Sequence, residues 1–176
     1  MGQVVSVNLA EPRILMRRGR EVRTGLWKRP ADGPVFVGEL GLRGDLVGDL
    51  RIHGGRDKAV YAYAEEDIAW WEGELDRELG PGFFGENLTL SGMEVSGAAR
   101  GERWRVAGVV LEVTEPRTPC WKLADKVGGP GFMKRFVAAQ RPGTYLRVRQ
   151  EGDVEAGDPV RVLSPPRRSV RSPAPA

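Results

Sequence analysis

Thr144-Tyr145-Leu146-Arg147-Val148-Arg149 is the stretch from which the fold is read. Leu146 and Val148 fall on one side of an extended chain, and Arg147 and Arg149 fall on the other. That period of two marks a half-buried β-strand and does not fit a helix. Similar short β-type runs recur along the chain, separated by Gly and Pro about every ten residues. They are Gln3–Leu9, Glu21–Thr24, Val35–Val37, Ala59–Tyr63, Asn87–Leu90, Trp104–Val106, Val109–Val113 and Val160–Leu163. So many short strands in one small domain favour a barrel or a sandwich. The regular strand–helix alternation of a parallel doubly wound sheet is missing. The expected fold is mainly β with a few short helices, a closed or partly open β-barrel.

Helical patterning is confined to three places. Glu65-Glu66-Asp67 put acids at the positive end of a helix, and Ile68, Trp71, Leu75 and Leu79 then recur at helical steps until Gly80-Pro81. This helix is expected to cover one barrel opening. Shorter helices are expected over Trp121–Asp125 and Phe132–Ala139, the latter with Phe132, Met133, Phe136 and Val137 on its apolar side.

The chain of 176 residues, 40% hydrophobic and 29% charged, suits one soluble domain with a real core. Its apolar runs fall far short of the roughly 20 residues needed to span a bilayer. The N-terminal Met1–Leu9 reads as a first strand and not as a secretion signal, so a cytoplasmic location is expected. The formal charge of +3 is misleading as a nucleic-acid footprint. Three arginines, Arg167, Arg168 and Arg171, lie in the stretch from Ser164 to Ala176; without them the chain holds 24 basic and 24 acidic residues. We therefore expect a folded domain over 1–163, a disordered Pro/Ser/Arg tail over 164–176, and neither membrane nor specific nucleic acid as partner.

Cys120 and His53 are the sole residues of their kinds. That excludes an internal disulfide and a sulfur-rich zinc centre, which needs several Cys or His. Cys120 stands in Arg117-Thr118-Pro119-Cys120-Trp121-Lys122, where nearby cations favour the thiolate that attacks electrophiles and binds soft metals. The plainer alternative is a small buried core residue. A catalytic Cys120–His53 dyad is chemically open, but no orienting group or oxyanion hole can be identified. Three other polar, Gly-rich segments interrupt the strands: Gly41-Leu42-Arg43-Gly44-Asp45, His53-Gly54-Gly55-Arg56-Asp57-Lys58 and Phe84-Gly85-Glu86-Asn87-Leu88. Paired glycines let backbone amides approach an anion, and Lys58 adds charge. Taken singly, each segment is more often a plain turn.

The order of these segments, followed by Arg141-Pro142-Gly143-Thr144-Tyr145 and Ala156-Gly157-Asp158, closely resembles the MOSC family, named for the C-terminal domain of molybdenum-cofactor sulfurases. It looks most like the stand-alone bacterial YiiM-type branch, and the resemblance runs from about Thr24 to Leu163. It implies a MOSC-type β-barrel with a cleft for the molybdenum cofactor (molybdopterin), and a superfamily label of pyridoxal phosphate binding is compatible with it. Cys120 falls on the position that ligates molybdenum or handles a sulfur to be transferred. Lys58, Arg117, Lys122, Arg43, Gly54 and Gly55 are then expected to hold the anionic cofactor, and Asn87 and His53 to hydrogen-bond the pterin or substrate. The family pattern departs at the end of the chain: no helical extension follows the barrel, and no iron–sulfur cysteines are present. The implied function is reduction of N-hydroxylated or N-oxygenated small molecules with an electron-donating reductase as partner. The alternatives are a sulfur or cofactor carrier with a persulfide on Cys120, and an inert interaction barrel.

Overall fold

The computed structural model describes residues 1–46, 54–129 and 131–164, the side chain of Ser164 excepted. Seven strands close into a barrel. In circular order they are β13 (Pro159–Ser164), β9 (Arg103–Val106), β10 (Val109–Pro116), β11 (Thr144–Gln150), β7 (Val60–Ala64), β8 (Leu88–Ser91) and β1 (Gly2–Ala10). Pairing of Gly2 with Val160 and of Gln3 with Pro159 joins the last strand to the first, so the barrel is closed. The β7–β8 pair is parallel, and the other pairs around the ring are antiparallel. Strand β4 (Lys28–Pro30) extends the sheet beside β1. A small three-stranded sheet of β12 (Gly152–Val154), β5 (Val35–Gly38) and β6 (Gly41–Leu42) adds Val35, Val37, Leu42 and Val154 to the barrel core. Strands β2 (Arg13–Arg17) and β3 (Arg20–Thr24) form a hairpin of their own.

The barrel interior follows from alternation. Val60, Ala62 and Ala64 of β7 face inward with Leu88, Leu90, Trp104, Val106, Leu111 and Leu146. The remaining β7 residues, Tyr61 and Tyr63, face outward and are buried as well. A second core covers them, built from Ile68 and Trp71 of α1 (Glu65–Leu75), Leu123 and Val127 of α2 (Trp121–Val127), Phe132 and Phe136 of α3 (Phe132–Ala139), and Phe84. The aromatic rings pack tilted, stacked or edge-on, with Trp71 and Phe136 stacked at 5.7 Å and Tyr63 and Phe84 at 4.6 Å. The helices therefore layer against the outer face of β7, while the small sheet packs its apolar residues into the barrel core.

The expected strands all form, and the differences have local causes. Helix α1 stops at Leu75 because Asp76 takes a left-handed conformation (φ 48°) and the side chain of Glu72 accepts the Leu79 amide at 2.8 Å. Leu79 is buried, but from the turn beyond the helix. Val137 is exposed, so Phe132 and Phe136 carry the apolar side of α3. Gly41-Leu42, too glycine-rich to be expected as strand, makes a two-residue pairing with β5. The expected tail lies, beyond Ser164, outside the described residues.

Two glycines are required by contact. A Cβ on Gly25 would stand 2.0 Å from the Leu46 carbonyl oxygen. One on Gly143, which has φ +66°, would stand 2.5 Å from the Ala62 oxygen. Gly143 lets the Arg141-Pro142 turn lie directly on β7. There the Tyr61 and Tyr63 hydroxyls donate to the Pro142 and Arg141 carbonyls at 2.8 and 2.7 Å.

Candidate functional site

One cleft, about 580 Å³ with its space open to solvent included, collects most of the polar residues singled out above. Its walls come from four parts of the chain: the segment from Thr24 to Lys28, the Asp45-Leu46 turn, Gly85 with Asn87, and the stretch from Arg117 to Lys122. Lys58, Ala59, Tyr61 and Tyr145 complete it. The site therefore sits on the helix-bearing side of β7 and β11, beside the second core.

Cys120 is half-buried at this cavity and directly precedes α2, where its carbonyl accepts the Leu123 amide at 3.0 Å. It lines the cleft and is absent from both hydrophobic cores, which separates it from the buried core cysteine allowed by the sequence. Lys122, on the first turn of α2, is buried and lines the same wall. Arg117 is buried at the end of β10: one terminal nitrogen donates to the Phe84 carbonyl at 2.6 Å, and the guanidinium lies 4.8 Å from the Tyr61 ring centroid. Its Nε is buried with no hydrogen-bond partner. A guanidinium keeps its charge at any physiological pH, so this unpaired donor is a desolvated cation awaiting an acceptor. Among the described residues no carboxylate forms an ion pair with Arg117 or Lys122.

The other cations are compensated. Lys28 and Asp45 form a buried pair, with Nζ 2.6 Å from both carboxylate oxygens. Burial pushes the Lys28 ammonium below its usual range, and the Asp45 charge pulls it part of the way back. Lys58 is 3.1 Å from Glu115 and stands over the Tyr145 ring. Lys126, on α2, donates to the carbonyls of Leu26, a cavity-lining residue, and of Phe83, and so ties the Cys120 helix to both segments. Desolvation pushes its pKa down to about 8.

Asn87 lines the cavity and is also bonded within the protein at both ends of its amide. Its Oδ1 accepts the Tyr61 amide at 3.1 Å, and its Nδ2 donates to Asp45 at 2.8 Å and to the Asn8 carbonyl at 3.4 Å. Behind it runs a buried polar chain: Ser6 to Asn8, Asn8 to Thr89, and Thr89 to Glu86. Burial raises the Glu86 pKa, and Oε2 of this carboxyl has no partner.

The structure thus brings together Cys120, Arg117, Lys122, Lys58 and Asn87. It does not bring Arg43 to them, because Gly44 (φ +85°) turns the chain between Arg43 and Asp45. Arg43 stacks at 4.6 Å on Phe36 in a separate groove, and its neighbour Asp45 enters the cavity instead. Gly55 (φ +90°) opens a 3-10 turn over Arg56–Lys58 and acts by placing Lys58; Gly54 likewise precedes that turn and does not line the cavity. His53 lies outside the described residues. Lys28, Asp45, Tyr61 and Tyr145 were not singled out from sequence. The signals were Asp45 beside Arg43 and Tyr145 at the end of Arg141-Pro142-Gly143-Thr144-Tyr145, both inside quoted motifs.

Among the described residues, no group of three or more His, Cys, Asp or Glu could hold a metal ion. No helix there is long and apolar enough to cross a membrane. Residues 49–161 match the family model of the MOSC domain. YflK, an uncharacterized protein of Bacillus subtilis (strain 168), is 38% identical over 161 residues, covering 92% of this chain and 73% of its own length. A protein named reductase from Gibberella moniliformis is 33% identical over 152 residues, and the chain spans only 27% of its length. The crystal structure of YiiM from Geobacillus stearothermophilus superposes with a TM-score of 0.75 at 33% identity, covering 93% of this chain and 76% of that one.

Proposed function

Since the chain belongs to the MOSC domain family, we propose that it binds the molybdenum cofactor in the Cys120 cavity and reduces N-hydroxylated or N-oxygenated compounds. The observation that carries this reading is the pair of buried, carboxylate-free cations, Arg117 with its orphaned Nε and Lys122, beside a half-buried thiol. A buried guanidinium donor left without an acceptor, on a cation with no carboxylate paired to it, is costly, which favours an anion in the cavity. A thiolate is the protein ligand that suits a thiophilic metal. A pterin carrying a phosphate and a sulfur-bound metal satisfies both demands, so the donor set fits the group.

In that reading Arg117 and Lys122 bind the anionic part of the cofactor, with Lys58 at the rim, and Cys120 supplies the sulfur ligand. Bound there, the cofactor supplies the electron pair and the oxygen exchange that an N-oxygenated substrate needs. The protein's own task is positional. Lys126 holds α2 against the Leu26 and Phe83 segments, Asn87 holds Asp45 in place, and the ring of Tyr61 packs beneath Arg117. The reductase relative is named as such for its whole length, of which this chain matches a minor part, so its name supports the reaction class without specifying a substrate.

The test is metal analysis of protein expressed in a cofactor-competent host, together with Cys120→Ser. Wild-type protein is expected to carry molybdenum and to reduce hydroxylamino-purines with an added electron donor. Cys120→Ser is expected to fold normally and lose the activity. Molybdenum-free wild type, or full activity in Cys120→Ser, would sink the proposal. Mass spectrometry showing one additional sulfur on Cys120, without turnover, would turn the reading toward a sulfur carrier.

A further inference from the structure

The β2–β3 hairpin stands apart from the barrel, because its strands pair only with each other. Residues 13–24 contain five arginines, Arg13, Arg17, Arg18, Arg20 and Arg23, against one acid, Glu21. Register assigns their faces. Arg13, Leu15 and Arg17 lie opposite Thr24, Val22 and Arg20 on one face, and Ile14 and Met16 lie opposite Arg23 and Glu21 on the other. The first face turns to the body. Arg13 lies 5.1 Å from the Trp27 ring centroid, Arg17 lies 4.2 Å from that of Trp121, and Thr24 enters the cavity wall. Trp121 is the residue after Cys120, so the hairpin is clasped beside the mouth of the site.

The second face is outward and unpartnered, with Ile14 62% and Met16 66% exposed. Two exposed apolar residues alone would be ordinary. Here they lie beside Arg23 and Glu21 on the same face, with Arg18 at the turn, and Met with Arg is the composition enriched at protein interfaces. The turn is also tight: Arg18 (φ 49°) and Gly19 (φ 73°) make the left-handed pair that matches strand twist. A second copy placed symmetrically on this face would set Arg18 and Arg23 against the same pair, which disfavours self-association.

We propose that the outward face of the β2–β3 hairpin is the docking surface for an acidic electron-carrier protein, which it seats beside Cys120. This rests on the reductase reading above. Reduction of an N-hydroxyl compound breaks the N–O bond and forms an N–H bond. It takes two electrons and two protons and releases water. The partner, a reduced flavin or iron–sulfur carrier with an acidic face, gives up those electrons and is oxidised. Redox encounters of this kind use small, charge-steered surfaces.

The probe is a bacterial flavodoxin, an acidic FMN protein, titrated calorimetrically against the full chain at low and near-physiological salt. Wild type is expected to bind at low salt and to weaken steeply as salt rises. Arg18→Glu combined with Arg23→Glu should weaken binding by about tenfold or more. Glu21→Gln should tighten it about twofold to threefold, a gain that misfolding cannot imitate. Turnover driven by dithionite-reduced methyl viologen, a small donor that needs no docking face, should be the same in all three forms. Absence of flavodoxin binding, or equal binding by wild type and the double variant, overturns the proposal. A change in molecular mass by light scattering in the double variant, with flavodoxin binding intact, also overturns it and makes the face a self-interface. Loss of viologen-driven turnover in every form, with the binding pattern as expected, removes the reductase reading and leaves the docking surface standing.

Discussion

Asn87 uses both ends of its amide on the protein itself, and that makes its side chain part of the framework. It joins the Tyr61 backbone of β7 to the Asp45 carboxylate, which in turn holds Lys28 and the Ala10 amide. Replacing it by Ala leaves a buried Asp45 oxygen and the Tyr61 amide short of partners, at about 1–3 kcal/mol for each buried group. Asn87→Ala is therefore expected to lose about 2–4 kcal/mol in urea unfolding, seen as a lower midpoint at unchanged slope. At this scale the sequence exposed the thiol and its cations, because Arg117, Cys120 and Lys122 lie within six consecutive positions. It did not expose Lys28 and Asp45, whose pairing depends on the closure of distant segments. Arg43 and Asp45 show why a motif is too coarse: a single left-handed glycine sends adjacent residues to different places.

Among the elements, strands read from alternation and β-branched content were legible, and so was the closed form that their number suggests. The edge pieces β4, β6 and β12 were not, since two or three residues carry too little pattern to show a period. Nor was β2, whose Arg13-Ile14-Leu15-Met16-Arg17 has no alternation of polarity because Leu15 turns inward between two exposed apolar residues. The β2–β3 hairpin is held by two ring contacts with arginine, each worth about 0.5–1 kcal/mol at such a surface. Arg13→Ala with Arg17→Ala should free it while the barrel stays intact. Cleavage by trypsin after Arg18 is expected to accelerate about tenfold, because proteolysis follows the population of the open form. An unchanged cleavage rate would show that the clasp lies elsewhere.

For the molecule as a whole, burial of ionisable groups fixes the shape of its pH dependence. Lys126 titrates near 8 in the folded state and at 10.5 when unfolded, so between those values the unfolded chain holds the extra proton and stability rises with pH. Lys28, also pushed down by burial, has the same sign. Tyr61, Tyr63 and Tyr145 are pushed up from 10.0 by desolvation; above that value the folded chain holds the extra protons and stability falls. Unfolding free energy from urea titrations should therefore climb above about pH 8, peak near pH 10, and drop beyond it. In Lys126→Arg, whose charge does not titrate in this range, the climb should shrink to the part carried by Lys28 while the alkaline drop remains.

Strand β7 is buried on both faces, with Val60, Ala62 and Ala64 serving the barrel and Tyr61 and Tyr63 serving the helix layer. A shift of one residue would press both tyrosines into space filled by valine and alanine, and would leave small side chains under Trp71 and Phe84. No compensating change in one core could repair both at once. Insertions and deletions are therefore barred from these five positions, whereas the hairpin turn at Arg18-Gly19 can lengthen freely into solvent. Descendants of this sequence can vary the approach to the cavity in length, and its back wall only in composition.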